Sequence, residues 1–125
     1  MSPMMKQVIL DEPKSFACRN VEIPVPGEGQ ALLKMKAVGI CGSDIHTYFG
    51  KHPFVHTPIV LGHEASGEVS FGPGAHDGLT EGDRVVIRPQ RTCGKCRPCR
   101  EGRYNICEEL NVLRQPSTFN SSHIL

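Results

Sequence analysis

No stretch of this chain approaches the roughly 20 consecutive apolar residues of a membrane-spanning helix. Met1 to Leu10 carries one lysine and no long apolar run, so no secretory signal is expected. An excess of either charge is also missing: 14 Lys and Arg stand against 13 Asp and Glu, a formal net charge of +1. That balance argues against nucleic acid as the main partner. Arginines do gather between Arg88 and Arg114, but Tyr104 is the one aromatic among them, so the run reads as a solvated face. No internal repeat is found, and no apolar periodicity extends far enough for a helix of ordinary length. With 38% hydrophobic and 22% charged residues, the 125-residue chain reads as one globular, soluble domain with a real core, expected in the cytoplasm.

Thirteen glycines and ten prolines suit many short strands joined by tight turns. Strands are expected from Val8 to Leu10, after which Pro13 and Lys14 make a turn, and from Ala17 to Ile23. The clearest strand runs from Ala31 to Val38, with Leu33, Met35 and Ala37 on one face and Lys34 and Lys36 on the other. Leu32 and Val38 blur that alternation, which predicts partial cover on both faces. Between Ile40 and Phe49 a turn or two of helix is expected, capped by Ser43 or Asp44. Further strands are predicted at Ile59–Leu61, Ala65–Phe71 and Asp83–Arg88, with Gly72 to Gly82 a connection. A short helix is expected within Arg100–Leu110. The expected fold is a mostly antiparallel small barrel or sandwich with an excursion near its end.

That excursion holds four of the six cysteines: Cys93, Cys96, Cys99 and Cys107. Two-residue gaps let thiolates converge from consecutive turns, and the longer gap brings the last one round to close a tetrahedron. Gly94 relieves the tight first turn, and neighbouring cationic groups favour thiolate. Repeated two-residue gaps also occur around iron–sulfur clusters, but there the fourth cysteine follows after three residues and precedes a proline. Cys107 meets neither condition, so structural zinc is the better reading. A disulfide framework is disfavoured in a reducing compartment.

A second, different site is suggested by Cys41 and His63. Cys41 follows a strand in a glycine-flanked turn, and His63 lies between Gly62 and Glu64 at a strand boundary. Thiolate plus imidazole suits a zinc ion with an open position, given one more protein ligand. On these two residues the site is one ligand short, and the third is expected from a residue this chain does not contain; failing that, the zinc is lost or is completed by Glu64, His46 or water. A metal there would polarise an alcohol oxygen and favour its deprotonation near neutral pH. Ser43 and His46 are suitable proton-relay groups, and Asp44 can hold the far nitrogen of His63. Phe49, Phe54 and His56 are candidates for the mouth of a substrate pocket, or equally for loop packing.

Cys41-Gly42-Ser43-Asp44 with His46, Gly62-His63-Glu64, Gly82-Asp83-Arg84-Val85 and the four-cysteine lobe together resemble the start of the catalytic domain of the zinc-containing medium-chain dehydrogenases. That family includes alcohol, sorbitol, threonine and related sugar-acid dehydrogenases, and the match runs from about Met5 to Val112. The resemblance implies a GroES-like barrel with a structural zinc lobe. It places Cys41 and His63 as catalytic zinc ligands, with Glu64 as the acidic residue beside the zinc. Ser43 and His46 become the proton relay, Asp44 the support of the ligand histidine, and the four lobe cysteines the structural ligands. The reaction implied is hydride transfer from an alcohol, polyol or sugar acid to NAD(P), the subgroup being closer to polyol and sugar-acid enzymes.

Members of that family carry a Rossmann domain with a glycine fingerprint between strand and helix. No such fingerprint occurs here: Gly72 and Gly74 lead to Asp77 and Gly78. The expectation is therefore a GroES-like catalytic domain at residues 1–112, its zinc lobe at 90–110, and an atypical or truncated tail at 113–125. As such a fragment the chain is expected to be inactive alone and to expose an apolar face prone to self-association. The alternative is a standalone zinc-stabilised binding or folding module without catalysis.

Overall fold

The computed structural model describes residues 2–27, 29–71, 78–112 and 115–116. Most of the 113–125 tail and much of the glycine-rich connection at 72–82 lie outside the described residues.

Two strands, β1 (Met4–Glu12) and β2 (Ser15–Glu22), form an antiparallel hairpin whose ladder runs from Met4 opposite Glu22 to Glu12 opposite Ser15. Mutual pairing carries β1 well upstream of its apolar segment, because a ladder satisfies backbone groups whatever the side chains. Next come β3 (Leu32–Gly39), the short helix α1 (Gly42–Tyr48) and β4 (Ile59–Val60). β5 (Glu64–Phe71), β6 (Arg84–Val86) and β7 (Gln90–Arg91) follow. The lobe contains α2 (Arg97–Arg100) and a 3₁₀ turn at Tyr104–Ile106, and the described strands end with β8 (Asn111–Val112) and β9 (Gln115–Pro116). The lobe helix thus begins earlier than its sequence suggests. Pro98 sits in its first turn, where a missing N–H costs nothing.

The strands fall into three sheets, ordered β2-β1-β4-β9, β3-β5-β6 and β7-β8. Mostly-β architecture is as expected, but the barrel is not: the sheets do not close on one another. Closure needs each sheet edge to find a partner edge. Here β4 meets β1 at a single pair, Leu10 opposite Ile59, and the chain then turns through Leu61–His63 to start β5 in a different sheet. β6 stops after three residues, so β3 and β6 remain edges of their sheet among the described residues.

The hydrophobic centre is small. Ile9 and Leu10 have no exposure, and Ile59 and Val69 have 4% each. Ile9 and Leu10 are consecutive, so their side chains leave opposite faces of β1, and both faces are covered at that point. β3 behaves differently. Its residues from Lys34 to Gly39 are exposed, with Met35 at 45% and Val38 at 54%. The expected two-sided cover is not found, because β3 is an edge strand. No helix among the described residues is long and apolar enough to cross a membrane.

Leu10→Ala removes a fully buried side chain from β1 and is expected to cost about 2–5 kcal/mol. Val8→Ala on the same strand, where Val8 is 54% exposed, should stay within about 0.5 kcal/mol. Urea denaturation midpoints of the two variants check this contrast.

Candidate metal centres

The β3–β5 ladder is antiparallel and pairs Val38 with Ala65 and Gly39 with Glu64. The chain leaving β3 therefore runs beside the chain entering β5. Cys41 lies just beyond one end of the ladder and His63 just before the other. One thiol, one imidazole nitrogen and one carboxylate oxygen, from Cys41, His63 and Glu64, all lie within 4.8 Å of one another. Cys41 and His63 are half-buried, whereas Glu64 is exposed.

Glycine makes this approach geometrically feasible. Gly62 has φ +110°, and a Cβ there would sit 2.7 Å from Val38 Cγ1. No other residue type tolerates both the left-handed backbone and the contact. The Glu64 side chain lies over Gly39, where a Cβ would come within 3.0 Å of its carboxylate.

Cys41 is the N-cap of α1, and Asp44 is at the third helical position. The Cys41 N–H donates to Asp44 Oδ2 at 2.9 Å, which satisfies one of the unpaired amides at the helix start. Asp44 Oδ1 lies 3.5 Å from His63 Nδ1. That nitrogen is buried and has no hydrogen-bond partner, the only such side-chain atom among the described residues. Asp44 itself is 7% exposed. A single buried carboxylate thus faces both the backbone of Cys41 and the imidazole of His63. The sequence points to Ser43 or Asp44 as the helix cap and to Asp44 as the partner of the far nitrogen of His63; the cap is instead Cys41. The place of Asp44 at the third position, reaching back to a cysteine, has the signature of a capping box with Cys in place of Ser or Thr.

Ser43 and His46 share α1 with these groups but are not among the converging donors. Ser43 is half-buried and its carbonyl accepts a hydrogen bond from Thr47 Oγ1 at 2.8 Å. His46 is exposed in the last turn. An apolar cavity of about 350 Å³ lies alongside α1. Phe16, Val38, Ile40, Ile45, Tyr48 and Leu61 line it, and Gly39, Gly62 and Asp44 also border it. Phe49, Phe54 and His56 do not line it; Phe54 is 86% exposed.

The sulfurs of Cys93, Cys96, Cys99 and Cys107 form a second cluster, also within 4.8 Å of one another. Backbone geometry builds it. Gly94 turns at φ +71°, the Cys96 N–H donates to Cys93 Sγ at 3.3 Å, and the Cys93 N–H donates to Cys107 Sγ at 3.3 Å. Amide donors of this kind favour thiolate. Backbone N–H groups of Glu108 and Cys99 lower the Cys96 thiol to about 7. Burial, with the Cys96 sulfur alongside, raises Cys99 to about 12. Four sulfurs this close cannot all ionise without a cation among them, and four thiolates match tetrahedral zinc. Short pairing of β7 with β8 closes the base of the lobe, and the Arg88 guanidinium lies 4.5 Å from the Tyr104 ring centroid. Glu101, held below its usual carboxylate range by Arg97 and Arg103, fastens the outer turn.

Residues 27–121 match the family profile described as the alcohol dehydrogenase GroES-like domain. The chain is 44% identical over 110 residues to L-galactonate-5-dehydrogenase of Escherichia coli, covering 87% of this chain and 32% of that protein. It is 37% identical over 116 residues to sorbitol dehydrogenase of Bacillus subtilis, covering 90% and 33%. Among solved structures it resembles an alcohol dehydrogenase from E. coli CFT073 complexed with the cofactor NADH, with a TM-score of 0.76 and 34% identity, covering 98% of this chain and 33% of that one. The chain thus spans about a third of the length of the curated relatives it matches. With two convergent donor clusters and this match over most of its length, the chain belongs to the zinc-type alcohol dehydrogenase family, as a GroES-like domain.

Proposed function

We propose that these residues are the metal-binding catalytic domain of a zinc-dependent oxidoreductase that moves hydride from a polyol or sugar-acid hydroxyl to NAD(P). The observation that carries this reading is the convergence of Cys41, His63 and Glu64 within 4.8 Å, with Asp44 set against His63. The donor set fits zinc: one soft thiolate, one imidazole and one carboxylate leave a position open for substrate. When bound, zinc supplies a Lewis acid that lowers the pKa of an alcohol oxygen.

Each residue then has a definite task. Cys41 and His63 hold the ion, and Glu64 completes the protein ligands from the solvent side. Asp44 keeps the proton on His63 Nδ1, which leaves Nε2 for the metal and makes the ring a stronger donor. Ser43 would relay the proton, its hydroxyl oxygen taking the alcohol's proton as its own passes on to the exposed His46, which exchanges it with bulk water. NAD(P) is the hydride acceptor in this reading, bound by a separate domain for which the 125 residues contain no glycine fingerprint. The lobe of Cys93, Cys96, Cys99 and Cys107 is a closed structural zinc site, since four thiolates leave no position for substrate. Residues 1–112 form the catalytic domain in this proposal. The exposed apolar side chains of Val38 and Ile40, at 54% and 80% exposure, support self-association of the isolated chain.

Metal analysis of the purified chain is expected to give two zinc ions per chain, and one for either His63→Ala or Cys41→Ser. A single equivalent in the unsubstituted chain, held by the lobe, would leave only a zinc-stabilised folding module.

Asp44→Asn keeps the size of the side chain but loses its charge beside His63. Metal affinity at the Cys41 site is expected to fall about 10–100-fold, with uptake by the four-cysteine lobe unchanged, as measured by competition with a chromophoric chelator.

Hydride transfer is tested in a chimera in which this domain replaces the matching third of L-galactonate-5-dehydrogenase. Sugar-acid-dependent reduction of NAD⁺ is expected in the chimera and should be lost with Cys41→Ser. A folded, doubly zinc-loaded chimera without turnover would reject the catalytic assignment.

A further inference from the structure

Helix α1 carries Cys41 at one end, yet its seven residues are too few to be stable unaided. What holds its other end is therefore decisive for where the cysteine sits. The helix finishes in a Schellman motif: the Gly50 N–H donates to the Thr47 carbonyl at 2.9 Å and the Lys51 N–H to the His46 carbonyl at 2.8 Å. This pattern leaves the Tyr48 carbonyl unused within the helix. Its partner comes from far away in sequence. The Lys14 N–H, at the tip of the β1–β2 hairpin, donates to the Tyr48 carbonyl at 2.8 Å.

Three more contacts tie the same two pieces together. Gly50, at φ +68°, presents a bare backbone to Pro13, whose Cγ would lie 2.9 Å from any Cβ at that position. The Phe16 and Tyr48 rings stack at a centroid distance of 5.6 Å. Lys14 Nζ lies 5.6 Å from the centroid of the Phe49 ring. Lys14 is also the one non-glycine among the described residues with a left-handed backbone, at φ 68°. Glycine or asparagine would adopt that conformation more easily. A strained residue persists where its surroundings over-determine it, and here those surroundings are the two-residue hairpin loop closed by Glu12 and Ser15 together with the helix end packed on it.

We propose that the Pro13–Lys14 turn is a positioning element for the Cys41 metal site, clamping α1 from its C-terminal end so that the thiol at its N-terminal end stays opposite His63. The inference rests on the reading of Cys41, His63 and Glu64 as metal ligands. Pro13, Lys14, Phe16 and Gly50 are not among the converging donors; they act through α1.

Cobalt(II) titration of the intact chain tests this, because d–d and sulfur-to-cobalt charge-transfer bands distinguish a one-thiolate site from the four-thiolate lobe. The lobe serves as internal reference for correct folding. Gly50→Ala drives a Cβ into Pro13 and is expected to weaken the one-thiolate site about tenfold or more while the lobe bands and their midpoint stay put. Gly82→Ala is the control, since Gly82 has φ +93° but no atom within 4 Å of a Cβ; it imposes similar backbone strain and should leave both sites unchanged. Phe16→Leu, at a half-exposed position, removes the ring stack with little risk to folding and should weaken the same site several-fold. Wild-type cobalt affinity in both Gly50→Ala and Phe16→Leu would overturn the proposal, as would an equal loss in Gly82→Ala. Uptake of a single equivalent by the unsubstituted chain would overturn the metal-ligand reading, and this inference with it.

Discussion

The register of the β3–β5 ladder is the constraint on which the candidate site depends. Leu33 to Met35 pair with Val69 to Gly67 in one register, but from Ala37 onward the pairing is shifted by one residue. Lys36 is the extra residue. Without that bulge, Gly39 would face His63 rather than Glu64. A shift of one residue in a strand exchanges the faces to which all later side chains point. The bulge thus decides that Glu64 sits on the ladder over Gly39, while His63 precedes it in the turn made by Gly62. Bulges commonly re-aim side chains beside functional sites. In this chain the redirected strand is the one that delivers Cys41.

Two kinds of order then meet at the cysteine. Backbone pairing sets its approximate place, to within the looseness of a strand end. The buried carboxylate of Asp44 refines it, because one oxygen accepts the Cys41 N–H and the other faces His63 Nδ1. Charge-assisted contacts of this type are stronger than neutral ones. Asp44 is 7% exposed, so its charge is little screened and is poorly solvated by water. A cation in the site would neutralise it. The carboxylate therefore makes more electrostatic sense with a metal bound than without one.

Local signals were legible and long-range ones were not. Cys93, Cys96, Cys99 and Cys107 read as one cluster because their spacing alone lets the sulfurs converge, and Gly94 marked the turn. Cys41 and His63 are far apart in the chain. No spacing rule links them; the complementary chemistry of a thiolate and an imidazole, each at a glycine-flanked turn, suggests the pair, and the resemblance to a known family strengthens it. Glu64 was named as an alternative third donor, and its proximity depends on the pairing with Gly39. The expectation of a barrel failed for a similar reason: alternation identifies strands but not which edges pair, and β4 and β6 are too short to join the two main sheets. Lys14 was legible as part of a turn but not as a residue with a left-handed backbone, since nothing in a Pro-Lys pair announces that conformation. The two-residue loop between Glu12 and Ser15 demands it, since a proline followed by a residue with φ > 0 is the type II arrangement.

The contrast between the two clusters follows from how each is built. The lobe has almost no hydrophobic support: Cys107 is its one buried residue among those described. Its cysteines are held instead by amide-to-sulfur bonds within consecutive turns. Metal binding at a closed four-thiolate site contributes on the order of 10 kcal/mol to folding, far more than the lobe's apolar contacts can supply. Cys41, His63 and Glu64 have the opposite character. Their scaffold is sheet, helix and hairpin turn, whose backbone pairing does not itself require an ion. One donor, Glu64, is exposed, so water or an alcohol can reach the site on that side. A cluster that must fold around its ion cannot easily release a ligand, whereas one held by its scaffold can. That difference in support, rather than donor type alone, accords with the proposal that the four-cysteine lobe is structural and the Cys41 site catalytic.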